Sequence, residues 1–248
     1  MSQLFFQRVR ESFGPLTPGQ VEGLNILVAA TAHLPLEHRA YILATAWHET
    51  GPEDSKLHMR PRREIGSKAY FNKYNAGTEL GQKLGNTLPG DGYLFRGRGY
   101  CQLTGRRNYQ IASLATGRDL VARPDDALDP VIAANIMING MRAGWFTGKK
   151  LSDYKRYMDM RRVVNGMDKA ADIAGYAARF EHALRAIKEP FEPPKYEQWL
   201  PDVPFPAPPV PAPIPASAPE TPPSPPEMPK ELPPRAQTWR EWLESFFK

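Results

Sequence analysis

The sequence predicts a mainly α-helical domain with a small β-hairpin and loop excursion, followed by a Pro-rich linker and a C-terminal amphipathic helix. Three observations predict this class. Apolar residues recur at helical spacing through most of residues 1–189, the stretch 52–99 is instead polar and rich in Gly, and 19 of the 27 prolines fall within 190–234. We therefore divide the chain into a domain (1–189), a linker (190–235) and a tail (236–248).

Local signals place two helices before residue 33. The first is expected over 3–13. Thr17 is expected to be the N-cap of the second helix, with Pro18 at the first helical position and Gln20 as the capping-box residue. This helix is expected to run to about Ala32. The residues of the first helix expected to face inward are Leu4, Phe5 and Val9.

The third helix starts at residues 35–37 and carries a carboxylate into its last turn. Gly51 and Pro52 end this helix, so Glu49 lies at the negative end of the helix dipole and beside Trp47. Both surroundings disfavour the charged carboxylate and are expected to raise its pKa. Such a group suits a general acid at neutral pH.

The excursion and the second half of the domain follow. Residues 89–92 form a strong turn signal, and 93–95 are predicted to pair with 100–103 as a small hairpin. Helical spacing then returns. The predicted helices are 108–116, 130–147, 151–157, 160–164 and 169–187.

The charge and the cysteine content limit the classes of function that the chain can have. Residues 1–189 carry 27 Lys and Arg against 19 Asp and Glu, a net charge of +8, which favours an anionic polymer as the partner. The single cysteine, Cys101, excludes an internal disulfide. The N-terminus lacks an apolar signal-peptide core, so we expect synthesis in the cytoplasm, and action outside it would require another route of release.

Acid and base chemistry needs a second carboxylate, and Glu64 is the best placed chemically. It lies within RPRREIG at 60–66, where neighbouring cations are expected to lower its pKa and keep it ionised. Two carboxyl groups whose surroundings push their pKa values apart are typical of an acid and base pair. Glu53 and Asp54 remain alternatives for this role.

Four motifs in this order resemble the family 19 glycoside hydrolases, and particularly their phage-type endolysins. The motifs are HETG at 48–51, REIG at 63–66, GRGYCQLTGRRNY at 97–109 and RRVVNG at 161–166. The resemblance covers about residues 36–184 and implies a lysozyme-like helical fold with an inverting mechanism.

The resemblance also assigns roles to single residues. It implies that Glu49 is the general acid, that Glu64 is the base which activates water, and that Thr104 positions this water. His48 precedes the acid, with a packed core histidine as its simpler interpretation. The implied substrate-binding residues are His48, Gln102, Asn108, Tyr109, Asn165 and Arg179, the last as an arginine that braces the carboxylates. No cofactor is expected.

Other classes fit the sequence less well. His48 and Glu49 begin like the zinc motif HExxH, but position 52 is Pro, so no metal site is expected. The Gly97 and Gly99 loop lacks the phosphate-binding GxxxxGK[ST] pattern. Nucleic acid is not expected as a partner because the aromatic residues form no evident stacking platform. A non-catalytic wall-binding module remains an alternative.

The tail forms an amphipathic pattern of its own. Its aromatic and apolar residues follow the i, i+3, i+4, i+7, i+8 spacing of a helix that contacts a membrane or another partner, with an unstructured tail as the equal alternative. These residues are Trp239, Trp242, Leu243, Phe246 and Phe247.

The resemblance, together with these features, implies a monomeric, endolysin-type peptidoglycan hydrolase that acts on the cell wall, in the periplasm, after release through a membrane lesion. Its partner is the glycan strand, in which it is expected to cleave the β-1,4 bond between N-acetylmuramic acid and N-acetylglucosamine by inversion. The lack of disulfides favours the short phage-type enzymes over the cysteine-rich plant chitinases. A chitinase that acts on N-acetylglucosamine polymers is the alternative.

Overall fold

The computed structural model describes residues 3–51 and 57–187. Helices dominate this part of the chain, as the sequence predicts. The linker, the tail, Glu53 and Asp54 lie outside the described residues. The α-helices are α1 (Gln3–Phe13), α2 (Pro18–Ala30), α3 (Leu36–Thr50), α4 (Glu79–Lys83), α5 (Asp91–Leu94), α6 (Arg106–Thr116), α7 (Pro130–Ala143), α8 (Tyr157–Met160) and α9 (Ala170–Leu184).

The N-terminal helices begin where their capping residues predict. Thr17 accepts a hydrogen bond from the Gln20 N–H at 3.3 Å, and the Gln20 side chain accepts from the Thr17 N–H at 2.7 Å, which is the reciprocal capping box. Phe5 and Val9 are buried in α1, whereas Leu4 is 39% exposed, so its predicted inward position is wrong.

The small sheet joins different residues from those predicted. Strand β1 (Arg62–Arg63) pairs antiparallel with β2 (Arg98–Gly99), and Arg98 also bridges to Leu103. Residues 93 and 94 belong to α5, so their predicted pairing with 100–103 is wrong. The 100–103 segment instead turns back onto Arg98, because Gly99 takes a positive φ of 87°.

The second half differs mainly in helix ends. Helix α7 stops at Ala143, because Gly144 takes the left-handed conformation at its C-cap. The predicted helix 151–157 is a short 3₁₀ helix, Leu151–Asp153, that precedes α8. The predicted helix 160–164 is also 3₁₀, over Arg161–Val163.

Two apolar clusters of unequal size hold the described residues together. The large one contains the buried faces of α1, α2, α3, α7 and α9, with α3 packed against α9. The small one is formed by Phe71, Tyr74 and Leu84. None of the described helices is long and apolar enough to cross a membrane.

Candidate active site

Glu49 lies in the last turn of α3 and is buried against a cation. Its side chain is 8% exposed, and its Oε1 accepts a hydrogen bond from Arg161 Nη1 at 2.7 Å. Arg161 is itself buried, and its Nε donates to the Asp168 carbonyl at 3.0 Å, which fixes the guanidinium. Within the described residues, Glu49 Oε2 makes no hydrogen bond. Arg161 therefore holds Oε1 of Glu49, while Oε2 can form a hydrogen bond with another group.

Trp47 does not supply the surroundings of Glu49. Its ring stacks on His58 at 4.1 Å between centroids and packs against Phe13 at 4.6 Å. Residues two apart on a helix point about 200° apart, which explains why Trp47 and Glu49 face different neighbours. The environment of the carboxylate is thus set by Arg161, from a segment 112 residues further along the chain.

Glu64 follows β1 and is fixed by the backbone of Gly97. The Glu64 N–H donates to the Gly97 carbonyl at 2.8 Å, and Glu64 Oε2 accepts from the Gly97 N–H at 3.1 Å. Burial raises the pKa of Glu64 and outweighs the lowering effects of the Gly97 hydrogen bond and of Lys73.

The predicted lowering of the Glu64 pKa is therefore wrong. Among the neighbouring cations, Arg63 is occupied elsewhere, since its guanidinium pairs with Asp125 at 2.7 Å. The alternation of side chains along a strand turns residues 63 and 64 to opposite faces. Proximity in sequence was therefore a poor guide to how strongly the neighbouring arginines lower the pKa of Glu64.

Gly97 brings Gln102 next to Glu64. A Cβ atom at position 97 would lie 2.7 Å from Gln102 Oε1 and 3.2 Å from Glu64 Oε2, so only Gly leaves this space open. Gln102 takes a positive φ of 54°, and its amide donates to the Arg62 and Gly99 carbonyls. The Gln102 amide is consequently held by both strands of the sheet.

Thr104 and Asn108 continue from this turn into α6. The Thr104 hydroxyl donates to the Gln102 carbonyl at 2.8 Å, which leaves its lone pairs free to accept a hydrogen bond from water. Asn108 is half-buried, and its amide donates to the Thr104 carbonyl at 2.8 Å. The side chains of Thr104 and Asn108 are thus each held by a backbone carbonyl of this turn.

The charge of Glu49 also acts on this turn. Burial raises the pKa of the Cys101 thiol, and the negative charge of Glu49 raises it further. The 97–104 turn thus connects Glu64, Gln102 and Thr104, and its Cys101 is the residue on which the charge of Glu49 acts.

His48 and Asn165 flank the ion pair. Burial lowers the pKa of His48 against the opposite effect of the Glu49 charge, which makes the ring neutral at pH 7. Asn165 is buried one turn after Arg161, and its N–H donates to the Arg161 carbonyl at 2.9 Å. Both residues thus lie beside the segment that holds Glu49.

Two of the predicted substrate-binding residues lie elsewhere. Tyr109 is fully buried, and its hydroxyl accepts from Arg98 at 2.9 Å and donates to the Arg96 carbonyl at 3.0 Å, so it supports the fold from inside. Arg179 is exposed, and its guanidinium donates to the Ser12 carbonyl at 3.4 Å. The arginine that braces a carboxylate is Arg161 instead.

Sequence reasoning missed Arg161 although it lies in the RRVVNG motif. This motif was the one sequence signal that pointed to Arg161, because the spacing of residues along the chain does not predict a contact with Glu49. Across residues 3–51 and 57–187, no three His, Cys, Asp or Glu side chains are placed to hold a metal ion.

Comparisons with known proteins address the fold and the family. No family model matches the chain. A curated glycosyl hydrolase family 19 domain-containing protein from Haemophilus influenzae is 28% identical over 116 residues, which is 46% of this chain. The match spans about half (50%) of the length of that relative.

Solved structures of chitinases share the fold. Chitinase C from Streptomyces griseus aligns over 75% of this chain and 78% of its own, with a TM-score of 0.52 and 18% identity. A bacterial family 19 chitinase aligns over 72% of this chain and 93% of its own, with a TM-score of 0.52 and 19% identity. The chain therefore has a family 19 chitinase-like fold and a family 19 relative in sequence, in agreement with its four motifs.

Proposed function

We propose that the chain is a glycoside hydrolase that cleaves β-1,4 bonds between amino sugars, and that its substrate is the glycan strand of peptidoglycan. The observation that carries the proposal is the pair of carboxylates, Glu49 held by Arg161 and Glu64 held by Gly97. The family 19 relative and the shared fold support glycan hydrolysis. The bacterial wall as substrate, and an endolysin role in lysis, rest on the resemblance of the motifs.

In the proposed reaction Glu49 protonates the glycosidic oxygen through Oε2. When this proton leaves, a buried negative charge remains on Glu49, and Arg161 compensates it at 2.7 Å. The ion pair thereby stabilises the state that forms as the bond breaks. Arg161 also fixes the orientation of the carboxylate, which proton transfer requires.

Glu64 activates water on the opposite face of the sugar. A raised pKa makes its carboxylate a stronger proton acceptor, while the Gly97 N–H keeps one oxygen in place. Thr104 accepts a hydrogen bond from this water through its free lone pairs. The acid lies on a helix and the base in the separate segment after β1, and inversion requires a separation of the two carboxyl groups that admits a water molecule.

Chitin is the second candidate substrate. Solved structures of two chitinases share the fold. An acid, a base and a water-positioning hydroxyl act in the same way on either polymer, so the residues described above do not distinguish a muramidase from a chitinase.

The test is product analysis by mass spectrometry after incubation with purified peptidoglycan and with chitin oligomers. We expect reducing-end muramic acid fragments from the wild type. Glu49→Gln should lower the rate by at least about 10²-fold, because removal of a general acid typically has this effect. Glu37→Gln, on the exposed first turn of the same helix, is the matched control and should keep full activity.

Other outcomes assign other functions. Fragments from chitin alone would make the protein a chitinase. Binding to peptidoglycan without any sugar cleavage would identify a wall-binding module and overturn the proposal. Equal activity of the wild type and Glu49→Gln would remove Glu49 from the mechanism.

A further inference from the structure

The positive charge of the domain is concentrated around Glu64. Residues 57–109 contain ten Lys and Arg and three Asp and Glu, a net charge of +7, whereas residues 1–189 together carry +8. The rest of the domain is therefore almost neutral. This uneven distribution places the basic surplus on the segment that carries Glu64, Gln102 and Thr104.

The acidic residues of this segment are all engaged. Glu79 pairs with Lys83, Asp91 pairs with Arg106, and Glu64 accepts from the Gly97 backbone. From outside the segment, Asp125 pairs with both Arg63 and Arg98. Among the other cations of the segment, Lys68 and Lys73 form no salt bridge with a carboxylate of the described residues 3–51 and 57–187.

Lys68 and Lys73 are the two cations of this segment whose ammonium groups lie over the rings of Tyr70, Tyr74 and Tyr93. Lys73 Nζ lies 3.8 Å from the centroid of the Tyr70 ring and 4.8 Å from that of Tyr74. Lys68 Nζ lies 5.5 Å from the centroid of Tyr93. Within 3–51 and 57–187, neither ammonium forms a salt bridge, so both contact aromatic rings only.

Aromatic support prepares the two ammonium groups to bind an anion. A ring face orients the cation and removes part of its water without neutralising its charge. Lys73 lies over the ring of Tyr74, and its positive charge lowers the pKa of Glu64 against the larger raising effect of burial. We call Lys68 and Lys73 the lysine rim of the site.

We propose that the lysine rim binds carboxylates carried by the glycan and thereby selects an anionic amino-sugar polymer over a neutral one. This inference rests on the proposed function, because it concerns the substrate of the same site. Chitin carries only neutral N-acetyl and hydroxyl groups. Peptidoglycan carries carboxylates on its lactyl groups when these bear no peptide, and on its stem peptides.

The test compares the full-length wild type with the double variant Lys68→Gln, Lys73→Gln on three soluble oligomers. These are chitin oligomers, peptide-free glycan oligomers with lactyl carboxylates, and peptide-bearing glycan oligomers. We expect the ratio of kcat/KM between charged and neutral oligomers to fall at least about tenfold, through a higher KM, since a lost charge-assisted contact weakens binding by about this factor. The charged oligomer with the larger fall identifies the source of the carboxylate.

The matched control removes two charges elsewhere. Lys149 and Lys155 are exposed and form no ion pair in the described part of the chain. Lys149→Gln, Lys155→Gln should keep the wild-type ratio. An equal fall in this control would show general attraction to an anionic polymer and overturn the inference. An unchanged ratio in the rim variant would overturn it as well.

Affinities measured by calorimetry separate this inference from the proposed function. The Glu49→Gln background is used so that turnover does not interfere. If the wild type cleaves no oligomer while the rim variant loses affinity for the charged ones, the proposed function fails and the inference holds. If cleavage occurs and the rim variant binds all oligomers as the parent does, the inference fails alone.

Discussion

The ion pair of Glu49 and Arg161 places two charges where water has little access. Their side chains are 8% and 3% exposed. Transfer of both charges out of water costs several kcal/mol for each ion, and their mutual attraction offsets this cost only while both partners are present. A buried pair of this kind is weak evidence for stability, but it suits a site in which one partner changes its charge during the reaction.

Removal of Arg161 alone should therefore destabilise the fold strongly. We expect Arg161→Gln to lower the free energy of unfolding by about 3–5 kcal/mol, because Glu49 remains buried and uncompensated. The double variant Glu49→Gln, Arg161→Gln should recover part of this loss. Urea denaturation of the two variants and of Glu49→Gln completes a double-mutant cycle.

A surface pair is the control for this cycle. Arg156 pairs with Asp159 while its own side chain is 79% exposed, so Arg156→Gln should change stability by less than about 1 kcal/mol. If the single and double variants at 49 and 161 are equally unstable, the two charges are not coupled.

Glu64 makes the stability of the fold depend on pH. Its pKa in the folded state is raised, so the folded state favours the protonated form. The stability linked to Glu64 is then fully present below its ordinary pKa and is lost as pH rises through the raised value. The ionised base required for the reaction is thus the less stable form of the folded protein.

Glu64→Gln should accordingly be more stable than the wild type at pH 7. We expect a gain on the order of 1 kcal/mol, which is typical when a strained active-site group is replaced, together with loss of activity. The gain should vanish as the pH falls below the ordinary carboxyl range. Melting curves from pH 3 to pH 8 measure this difference, and a gain that does not depend on pH would contradict the titration of Glu64 as its cause.

At the scale of elements, local signals were predicted well and distant contacts were not. The Thr17 capping box is encoded within four residues, and the structure contains both of its hydrogen bonds. The partner of β2 is β1, 36 residues earlier, and no local pattern specifies this pairing. The hairpin predicted from neighbouring apolar residues failed for this reason.

The residues of the candidate site likewise divide into those that local sequence signals predicted and those that depend on distant contacts. Glu49 was predicted to lie in a helix end from Gly51 and Pro52, which are adjacent to it in sequence. The arginine that contacts it depends on how the 161–163 turn packs against α3, and the two segments are far apart along the chain. The burial of Tyr109 likewise depends on two arginines that precede it by 11 and 13 residues.

A clamp between Asp91 and Arg106 fastens the excursion to α6. Asp91 is buried and accepts two hydrogen bonds from Arg106, at 2.8 and 2.6 Å, and two from the Thr87 and Leu88 N–H groups. Burial opposes the charge of Asp91, but these donors outweigh it and lower its pKa. The clamp therefore holds the loop that precedes Gly97.

Asp91→Asn should loosen this loop. We expect a loss of about 2 kcal/mol, since charge-assisted hydrogen bonds contribute roughly 1.5–3 kcal/mol each and Asn retains some of them. Chemical denaturation measures the loss, and hydrogen exchange should show faster exchange at residues 85–95. Glu79→Gln removes an exposed ion pair in the same excursion and should leave both readouts near wild type.

At the scale of the whole molecule, the tail adds a separate proposal. Residues 239–247 have the spacing of an amphipathic helix with aromatic residues on one side, a pattern that favours the surface of a membrane. We propose that the tail anchors the enzyme to a lipid surface while the domain acts on the glycan.

Substitutions in the full-length chain test this anchor. Trp239→Ser, Trp242→Ser should lower co-sedimentation with anionic lipid vesicles at least several-fold and should leave hydrolysis of soluble glycan at the wild-type rate. Trp199→Ser, in the linker, is the matched control. Equal vesicle binding by all three proteins would reject the anchor.

The two apolar clusters should lose their order at different temperatures. Glu49 lies on α3, which packs in the large cluster, and Gly97, which fixes Glu64, lies between Phe95 and Tyr100 of the same cluster. Phe71, Tyr74 and Leu84 form the small cluster, which belongs to the loop that carries Lys73. Three buried side chains remove far less apolar surface from water than the helical core does, so this loop is expected to lose its order at a lower free-energy cost than the helices. On heating, the part of the site that carries Lys73 should therefore open while the helices and both carboxylates keep their places, and it should close again on cooling.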